Sequence, residues 1–502
     1  MKSNRQSVNL PEPASPAHAP AKFAPAVRVA ERVALAGFML YAVFAPHSIA
    51  GAEIALAIVG LGWIARLGLT RRTGIRRTAL DLPVWLFLGW TILSAIFSAE
   101  PRISLPKLQS IAVVLLFYLT QSFVTRRTAI VLAVLMIVSG VAGVFESALD
   151  LARGRGVMIE ELTGDSPFHE LQMGAGDAVW RVGGQRIHSV AEIDEAIRQS
   201  PAGRALPVSI IKQGEHGERP GFIVTDEMKA RTNPSGILSS GPTHRFRASG
   251  WTRHYETFSE TLQILAQLAL GLALAHLQRG RKSRRGYVAL ALMATSLLAA
   301  GIVLTAMRTT LVALVIGAAV IALRATRGRA RLLAAALIAL VLAFGVLAIR
   351  QTRMTGALIL EDHSASLRWQ VARVGLSRIR LHPFFGHGMD AVKAHWTEWG
   401  FPGTDMIHLH STPLQIAFDR GLPALLFWLW LAGACWLMAA HAEKLFRASA
   451  DANHHGLLLG ATGAVAGFFT SALVNYNFGD AEVVLVFWWL MGTVAALSEH
   501  RK

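Results

Sequence analysis

The 502-residue chain carries little charge and almost no cysteine. Charged residues make up 16% of it and hydrophobic residues 53%, whereas a soluble protein has about a quarter charged residues. Its single cysteine, Cys435, excludes an internal disulfide and a cysteine metal site. The loops assigned below to the outer face contain no Asp-x-Asp motif, so the sequence calls for no divalent metal and no other cofactor.

Apolar runs long enough to cross a bilayer recur along the chain. They predict about twelve spans, at 32–45, 52–69, 82–98, 108–123, 129–149, 258–277, 287–306, 311–323, 332–349, 412–440, 457–474 and 483–497. The first thirty residues are rich in Pro and Ala, which predicts a disordered tail without a cleavable signal peptide. The first span is then expected to act as an uncleaved anchor.

Basic residues follow each even-numbered span, and the short odd-numbered loops are nearly free of Lys and Arg. Because cytoplasmic loops are enriched in Lys and Arg, both termini are expected on the cytoplasmic side, with the odd-numbered loops outside. Contacts of these loops with anionic membrane lipids explain the formal charge of +17, and no nucleic-acid partner is expected.

Two long outer segments divide the chain into six regions. The predicted regions are a disordered cytoplasmic tail at 1–30, spans one to five at 31–149, an insert at 150–250, spans six to nine at 251–349, an outer loop with catalytic elements at 350–411, and spans ten to twelve at 412–502. This order predicts an all-α polytopic membrane protein interrupted by one small extracytoplasmic domain.

The insert has a strand–helix–strand pattern of its own. The β-like stretches are 157–159, 178–182, 186–187 and 206–212, with Gly-rich turns between them and an amphipathic helix at 190–200. With Ser166-Pro167, Gly176-Asp177 and Gly183-Gly184 in place, this segment resembles a bacterial PDZ domain. The resemblance implies a small α+β domain that binds a peptide or protein partner by strand addition. The alternative is a PDZ-like module that only shapes or covers the site.

The segment 350–411 brings cations and imidazoles to the start of the tenth span. Residues 364–380 have helical spacing and include Arg368 and Arg373, and His408, His410 and Ser411 follow at the span entry. Ser411 is expected to cap the helix that begins there. Residues 419–423 interrupt the apolar run, which predicts a short half-helix lining a cavity.

Five sequence motifs, in order, resemble the O-antigen ligase and polymerase superfamily. They are 93–98 with Pro101 and Ser104; 248–251; 305–308, ending in Arg308; Arg368-Trp369 with 383–388; and His410-Ser411 with Leu414-Gln415 and Gly421. In the family the residue after the histidine is usually Asn, and here it is Ser411. The resemblance implies a GT-C-like bundle of about twelve helices in the bacterial inner membrane, with its active site on the periplasmic face and the PDZ-like domain between spans five and six.

The same resemblance implies transfer of glycan from undecaprenyl diphosphate to an acceptor hydroxyl of a glycolipid such as lipid A–core. Arg308 and Arg368 are the expected clamps, because the planar guanidinium holds phosphate oxygens at two points. His410 is the expected general base. His408, Ser411 and Arg373 are expected to bind substrate.

Two other functions stay open at this point. One is a polymerase or a protein O-glycosylating relative with the same donor chemistry. The other is a non-enzymatic transporter of lipid-linked glycan, although the chain shows no inverted repeat of the kind transporters carry. The sequence leaves the roles of Glu53, Glu146 and Glu260 open.

Overall fold

The protein is mostly helical, with one small β-sheet inserted in the first half. The computed structural model describes residues 24–212, 215–244, 246–252, 254–279, 285–329, 331–332, 335, 359–403 and 407–498. The helices are α1 (Ala24–Phe44), α2 (Ile49–Thr70), α3 (Asp81–Phe97), α4 (Pro101–Ser104), α5 (Leu115–Phe123), α6 (Arg126–Arg153), α7 (Val190–Gln199), α8 (Asp226–Ala230), α9 (Tyr255–Leu277), α10 (Arg285–Leu304), α11 (Arg308–Ala325), α12 (Ile359–Ile379), α13 (Ala391–Ala394), α14 (Thr412–Phe446), α15 (Ala452–Ala472) and α16 (Ala481–Ser498).

Within the described residues, eight helical segments are long and apolar enough to cross a membrane. They are 49–70, 101–123, 126–153, 255–277, 285–304, 308–325, 412–446 and 481–498. The chain is therefore a multi-pass membrane protein. The count of twelve stays a prediction, since the ninth predicted span, 332–349, lies almost wholly outside the described residues.

One predicted boundary is wrong. Helix α1 begins at Ala24, inside the segment predicted to be a disordered tail. The predicted fourth span, 108–123, lies within the helical segment 101–123, which is long and apolar enough to cross a membrane. Within it, Leu105–Val114 is a 3-10 helix that leads into α5. Proline at 101 and 106 removes two backbone donors there, which favours the irregular path.

Small residues bring the central helices into close contact. A Cβ on Gly271 of α9 would overlap the backbone of Gly460 in α15. Likewise, a Cβ on Gly317 of α11 would meet the carbonyl oxygen of Gly463 at 2.5 Å. Such approaches let helix backbones pack closely. Close packing matters in a membrane because lipid tails are as apolar as the side chains, so the hydrophobic effect does not drive helices together. Helices α9, α11 and α15 thus form a tight centre that fixes the loops at their ends.

One end of the bundle collects the starts of several helices, and we call it the site end. Asn475 follows α15; its side chain donates to Thr309 at the start of α11, and its carbonyl accepts from the backbone N–H of Thr412 at the start of α14. The α1–α2 connection also lies there, since the Ile49 N–H donates to Glu482 at the start of α16. Ala24 and Ser498 therefore both lie at the opposite end of the bundle.

Residues 155–243 form the inserted sheet. Its strands are β1 (Arg155–Leu162), β2 (Ala178–Val182), β3 (Gln185–Arg186), β4 (Ala205–Lys212), β5 (Glu215–Ile223) and β6 (Ile237–Thr243). The order is β5-β4-β2-β1-β6, with β3 paired to β2, and all pairs are antiparallel. A separate core that includes Ile159, Phe168, Val208 and Phe222 fills it. The predicted small α+β domain is thus present, and its PDZ identity stays a prediction.

Charged side chains tie the sheet to the end of α6. Arg155 pairs with Asp150 at 2.6 Å, and Arg186 lies 3.7 Å from Glu146. The Gly250 N–H also donates to Ser147. Glu146 therefore anchors the insert to the bundle, which answers one of the three open glutamate roles.

Candidate functional site

The site is organised by a break in helix α14. Gly421 has φ 81° and ψ 171°, so the helix unwinds there and resumes through Pro423. The predicted half-helix is confirmed. A break in a membrane helix frees backbone groups that must find partners inside the protein.

The segment 383–388 supplies those partners. Its N–H groups at His387 and Gly388 donate to the carbonyls of Phe418 and Asp419, and its carbonyl at Pro383 accepts from the Leu422 N–H at 2.8 Å. A Cβ on Gly421 would overlap the carbonyl of Phe384, so only glycine fits this crossing.

The end of α3 completes the same crossing. Ser94 donates to the carbonyl of Phe385 at 2.8 Å, the Trp90 indole donates to the carbonyl of Arg420 at 3.0 Å, and Ser104 accepts from the Met389 N–H at 3.0 Å. Three of the five motifs that carry the resemblance therefore meet at one place, although more than 300 residues separate the first from the last.

The two histidines flank an anchored leucine. Leu409 is buried against α12, where Gly375 leaves room for its side chain, and its N–H donates to the Gln415 side chain at 2.7 Å. His410 has a φ of 50°, a left-handed conformation that non-glycine residues rarely adopt. The rings of His408 and His410 face each other with centroids 4.2 Å apart.

Both imidazoles are held in the neutral form. Burial and then the nearby charge of Arg368 lower the pKa of His408 to about 4. Burial, followed by His408 and Arg368, lowers the pKa of His410 to about 2. Neither ring nitrogen of His410 has a hydrogen-bond partner among the described residues. The ring is thus half-buried and uncharged, and its shielded nitrogens have no partner in the described part of the chain.

Arg368 stands beside this pair. Its guanidinium lies 3.8 Å from Glu256 at the start of α9, with both side chains 28% exposed, and its Nε has no hydrogen-bond partner among the described residues. The distance is too long for a tight ion pair, so the guanidinium keeps donors for another anion. The structure therefore brings Arg368, His408 and His410 together.

Arg308 begins helix α11 at the same end of the bundle. The next residue, Thr309, accepts a hydrogen bond from the Asn475 side chain. The Asn475 carbonyl accepts from the backbone N–H of Thr412, which begins α14 two residues after His410. Asn475 also donates to Glu260, which is buried and accepts a second bond from Ser471. Glu260 thus bonds the end of α15, and Asn475 connects that end to the starts of α11 and α14.

Two expectations about neighbouring residues change. Ser411 occupies the N-cap position of α14, but its side chain makes no capping hydrogen bond, so the predicted side-chain cap is wrong. Arg373 is exposed on α12 and lies roughly 140° around the helix from Arg368, since five residues separate them. Its predicted contact with substrate stays a prediction.

A cavity of about 900 Å³ opens beside His408. Its polar part includes Lys107, His408, Arg420 and Tyr476, and its apolar part includes Phe87, Leu116, Leu485 and Trp488. Glu53 also borders it. His410, Arg308 and Arg368 are not among its lining residues, so the histidine pair joins the cavity through His408.

Arg420 is the functional candidate that the sequence analysis missed. It is 8% exposed, its Nη2 meets the Met389 sulfur at 3.2 Å, and its guanidinium lies 5.7 Å from the Phe87 ring centre. No ion pair to it occurs among the described residues. A charged residue inside an apolar run is the signal that could have found it, because such residues usually serve a function.

A comparison with known protein families finds a match in the second half of the chain. Residues 291–429 match the family described as O-Antigen ligase. No curated protein matches the chain. The matched segment includes Arg308, Arg368, His408, His410 and Arg420. The ends of α3, α9 and α15 and much of the cavity lining, including Lys107, Leu485 and Trp488, lie outside it. The predicted resemblance to the O-antigen ligase superfamily is confirmed over these residues of a multi-pass membrane protein.

Proposed function

We propose that the chain is an O-antigen ligase-like glycosyltransferase at the periplasmic face of the bacterial inner membrane. The family match supports glycosyl transfer of the ligase or polymerase type in general. The finer proposal is transfer from undecaprenyl diphosphate to a hydroxyl of lipid A–core or a similar acceptor. The observation that carries it is the meeting of a basic, histidine-containing site with a cavity whose other part is apolar.

The donor has an apolar polyprenyl chain and an anionic diphosphate, and the cavity has a matching part for each. The polyprenyl chain would lie along Phe87, Leu485 and Trp488, and the diphosphate would lie toward Arg420 and His408. Arg420 is buried beside Met389, Phe87 and Tyr476, with Asp419 as the nearby acidic side chain. Since no ion pair to it occurs among the described residues, a bound anion would stabilise its buried charge. Arg368 and Arg308 would then hold the phosphate oxygens at the outer mouth.

The proposed step is a single displacement at the anomeric carbon of the donor sugar. The acceptor oxygen forms the new glycosidic bond, the bond from the anomeric carbon to the diphosphate oxygen breaks, and its electron pair leaves with undecaprenyl diphosphate. The acceptor proton passes to a ring nitrogen of His410. The arginines stabilise the charge that grows on the leaving diphosphate.

The depressed pKa of His410 makes the ring a weak base until donor is bound. In the free protein, burial and then the charges of His408 and Arg368 keep the ring neutral. The negative diphosphate opposes the effect of Arg368, so donor binding is expected to raise the pKa of His410. The base would therefore strengthen only when there is a donor to react.

Glycan profiling of a deletion strain, with complementation, tests the proposal. Loss of attached glycan together with normal lipid-linked polymer supports ligation. Products with a single repeat unit would replace ligation with polymerisation, and lipid-linked glycan trapped on the cytoplasmic side would favour transport. Purified protein with lipid-linked donor and acceptor should then form product without other proteins.

A further inference from the structure

The opposite end of the bundle holds a second cavity, of about 640 Å³, between the ends of α9, α11 and α14. Four basic side chains line it, and we call these the basic cavity residues: Arg324, Arg327, Lys444 and Arg447. Helix α11 runs from Arg308 to Ala325, so this cavity is a full helix length, about 27 Å, from the candidate site.

A single carboxylate organises two of these cations. Glu443 is fully buried, and its oxygens lie 2.6 Å from Nη2 of Arg324 and 2.8 Å from Nη2 of Arg447. His455 approaches the same carboxylate at 3.2 Å. The two guanidinium groups are therefore held in place rather than free to sample solvent.

The other two cations have no acidic partner in the part of the chain that the structure describes. Arg327 and Lys444 are exposed, and among the described residues neither forms an ion pair with a carboxylate. Helices α9, α11 and α14 end here, and each C-terminus contributes roughly half a negative charge. With Glu443 this gives about two and a half negative charges against four positive ones. The cavity thus keeps an excess of roughly one and a half positive charges.

We propose that this cavity binds the phosphate group of an anionic lipid headgroup. Glu443 occupies Nε and Nη2 of Arg324 and Arg447, so the Nη1 group of each can donate to phosphate oxygens, and the nearby Lys444 adds a point charge. Basic pockets between membrane helices at the cytoplasmic side are suited to such headgroups. The site is separate from glycan transfer, because it lies at the other end of the bundle and shares no residue with the donor cavity.

Native mass spectrometry of the full-length protein, purified from nanodiscs, tests the proposal. Nanodiscs of phosphatidylcholine with phosphatidylglycerol would be compared with pure phosphatidylcholine. The wild type should retain phosphatidylglycerol, and a variant with Arg327→Gln and Lys444→Gln should bind it about tenfold more weakly or worse. A variant with Arg72→Gln and Arg77→Gln is the matched control, since these exposed residues carry the same charge in another loop at the same end.

The control decides between a site and a diffuse surface effect. Equal loss of phosphatidylglycerol from both double variants, or normal retention in Arg327→Gln/Lys444→Gln, would overturn the proposal. Inorganic phosphate provides the second arm in phosphatidylcholine nanodiscs. If phosphate stabilises the wild type but not that variant, while both retain phosphatidylglycerol equally, the ligand is free phosphate and the lipid form of the proposal is wrong.

Discussion

His410 combines three features at the residue scale that rarely occur together: a left-handed backbone, a half-buried ring and two solvent-shielded nitrogens without partners among the described residues. As a general base it should contribute roughly 100- to 10,000-fold. We expect His410→Ala to lose that much turnover and to keep donor affinity, and His408→Ala to lose less turnover. Transfer rate and donor affinity would be measured in the same purified preparations.

Two results would change the assignment of the base. Normal turnover by His410→Ala would exclude it and move the role to His408, which borders the cavity directly. Parallel loss of affinity and rate would make His410 a binding residue.

Arg308 and Arg368 are predicted to act through guanidinium geometry and not through charge alone. Replacing either with Lys keeps the charge but loses the two-point contact, so transfer should fall about 100-fold or more. Arg380→Lys is a suitable control, because Arg380 is exposed just after the end of α12. Near-normal transfer in membranes by both Arg308→Lys and Arg368→Lys would show that these residues only anchor lipid headgroups.

The neutral histidines also make stability depend on pH. Burial lowers the pKa of His387 and His408 to about 4 and that of His410 to about 2, while an unfolded histidine titrates near 6.5. Between those values the unfolded chain binds more protons, so stability is complete above about pH 6.5 and falls as pH drops.

Thermal unfolding between pH 7 and 4.5 measures this effect. Each histidine contributes up to about 1.4 kcal/mol per pH unit. A variant with Gln at His387, His408 and His410 should show a flatter dependence than the wild type. An unchanged slope would mean that these rings are protonated in the folded protein.

At the scale of elements, the break in α14 is predicted to be obligatory. A Cβ at Gly421 would overlap the Phe384 carbonyl, and φ is 81° there, so Gly421→Ala should cost at least about 1–3 kcal/mol and displace 383–388. Gly433 lies in the same helix with open space around its Cβ position, so Gly433→Ala should be neutral or stabilising. Equal thermal stability of the two variants would show that the crossing can move.

The elements differ in how far sequence could predict them. The membrane helices follow from long apolar runs, and the α14 break follows from charged residues and Gly421 inside such a run. Strands β5 and β6 were missed because Gly and Pro interrupt both, and β pairing rather than local preference forms them. The position of Arg420 against Met389 and Phe87 depends on the crossing of α3, α14 and 383–388, which no local pattern encodes.

At the scale of the whole molecule, the described chain ends lie together at the end opposite the histidines, and the insert lies at the histidine end. Both positions agree with the orientation predicted from the basic residues after the even-numbered spans, which places the termini on one side of the membrane and the insert on the other. A reporter fusion tests the absolute orientation. Alkaline phosphatase fused near Gly217 should be active and near Arg281 inactive, and the reverse pattern would overturn the assignment of the site to the periplasmic face.

The insert is predicted to be separable from transfer. The insert has a hydrophobic core separate from the core of the helix bundle. Its two ends are adjacent, because Arg155 pairs with Thr243 across β1 and β6. A short Gly-Ser linker can therefore replace 155–243 without moving α6 or α9. We expect the deletion protein to keep basal transfer in a purified system, since none of Arg308, Arg368, Arg420 and His410 lies in the insert.

The matched control is Arg186→Gln, which removes the contact to Glu146 and keeps the sheet. A deletion protein that inserts and stays monodisperse but transfers nothing would show that the sheet forms part of the acceptor site, and normal transfer would leave it the role of docking a partner.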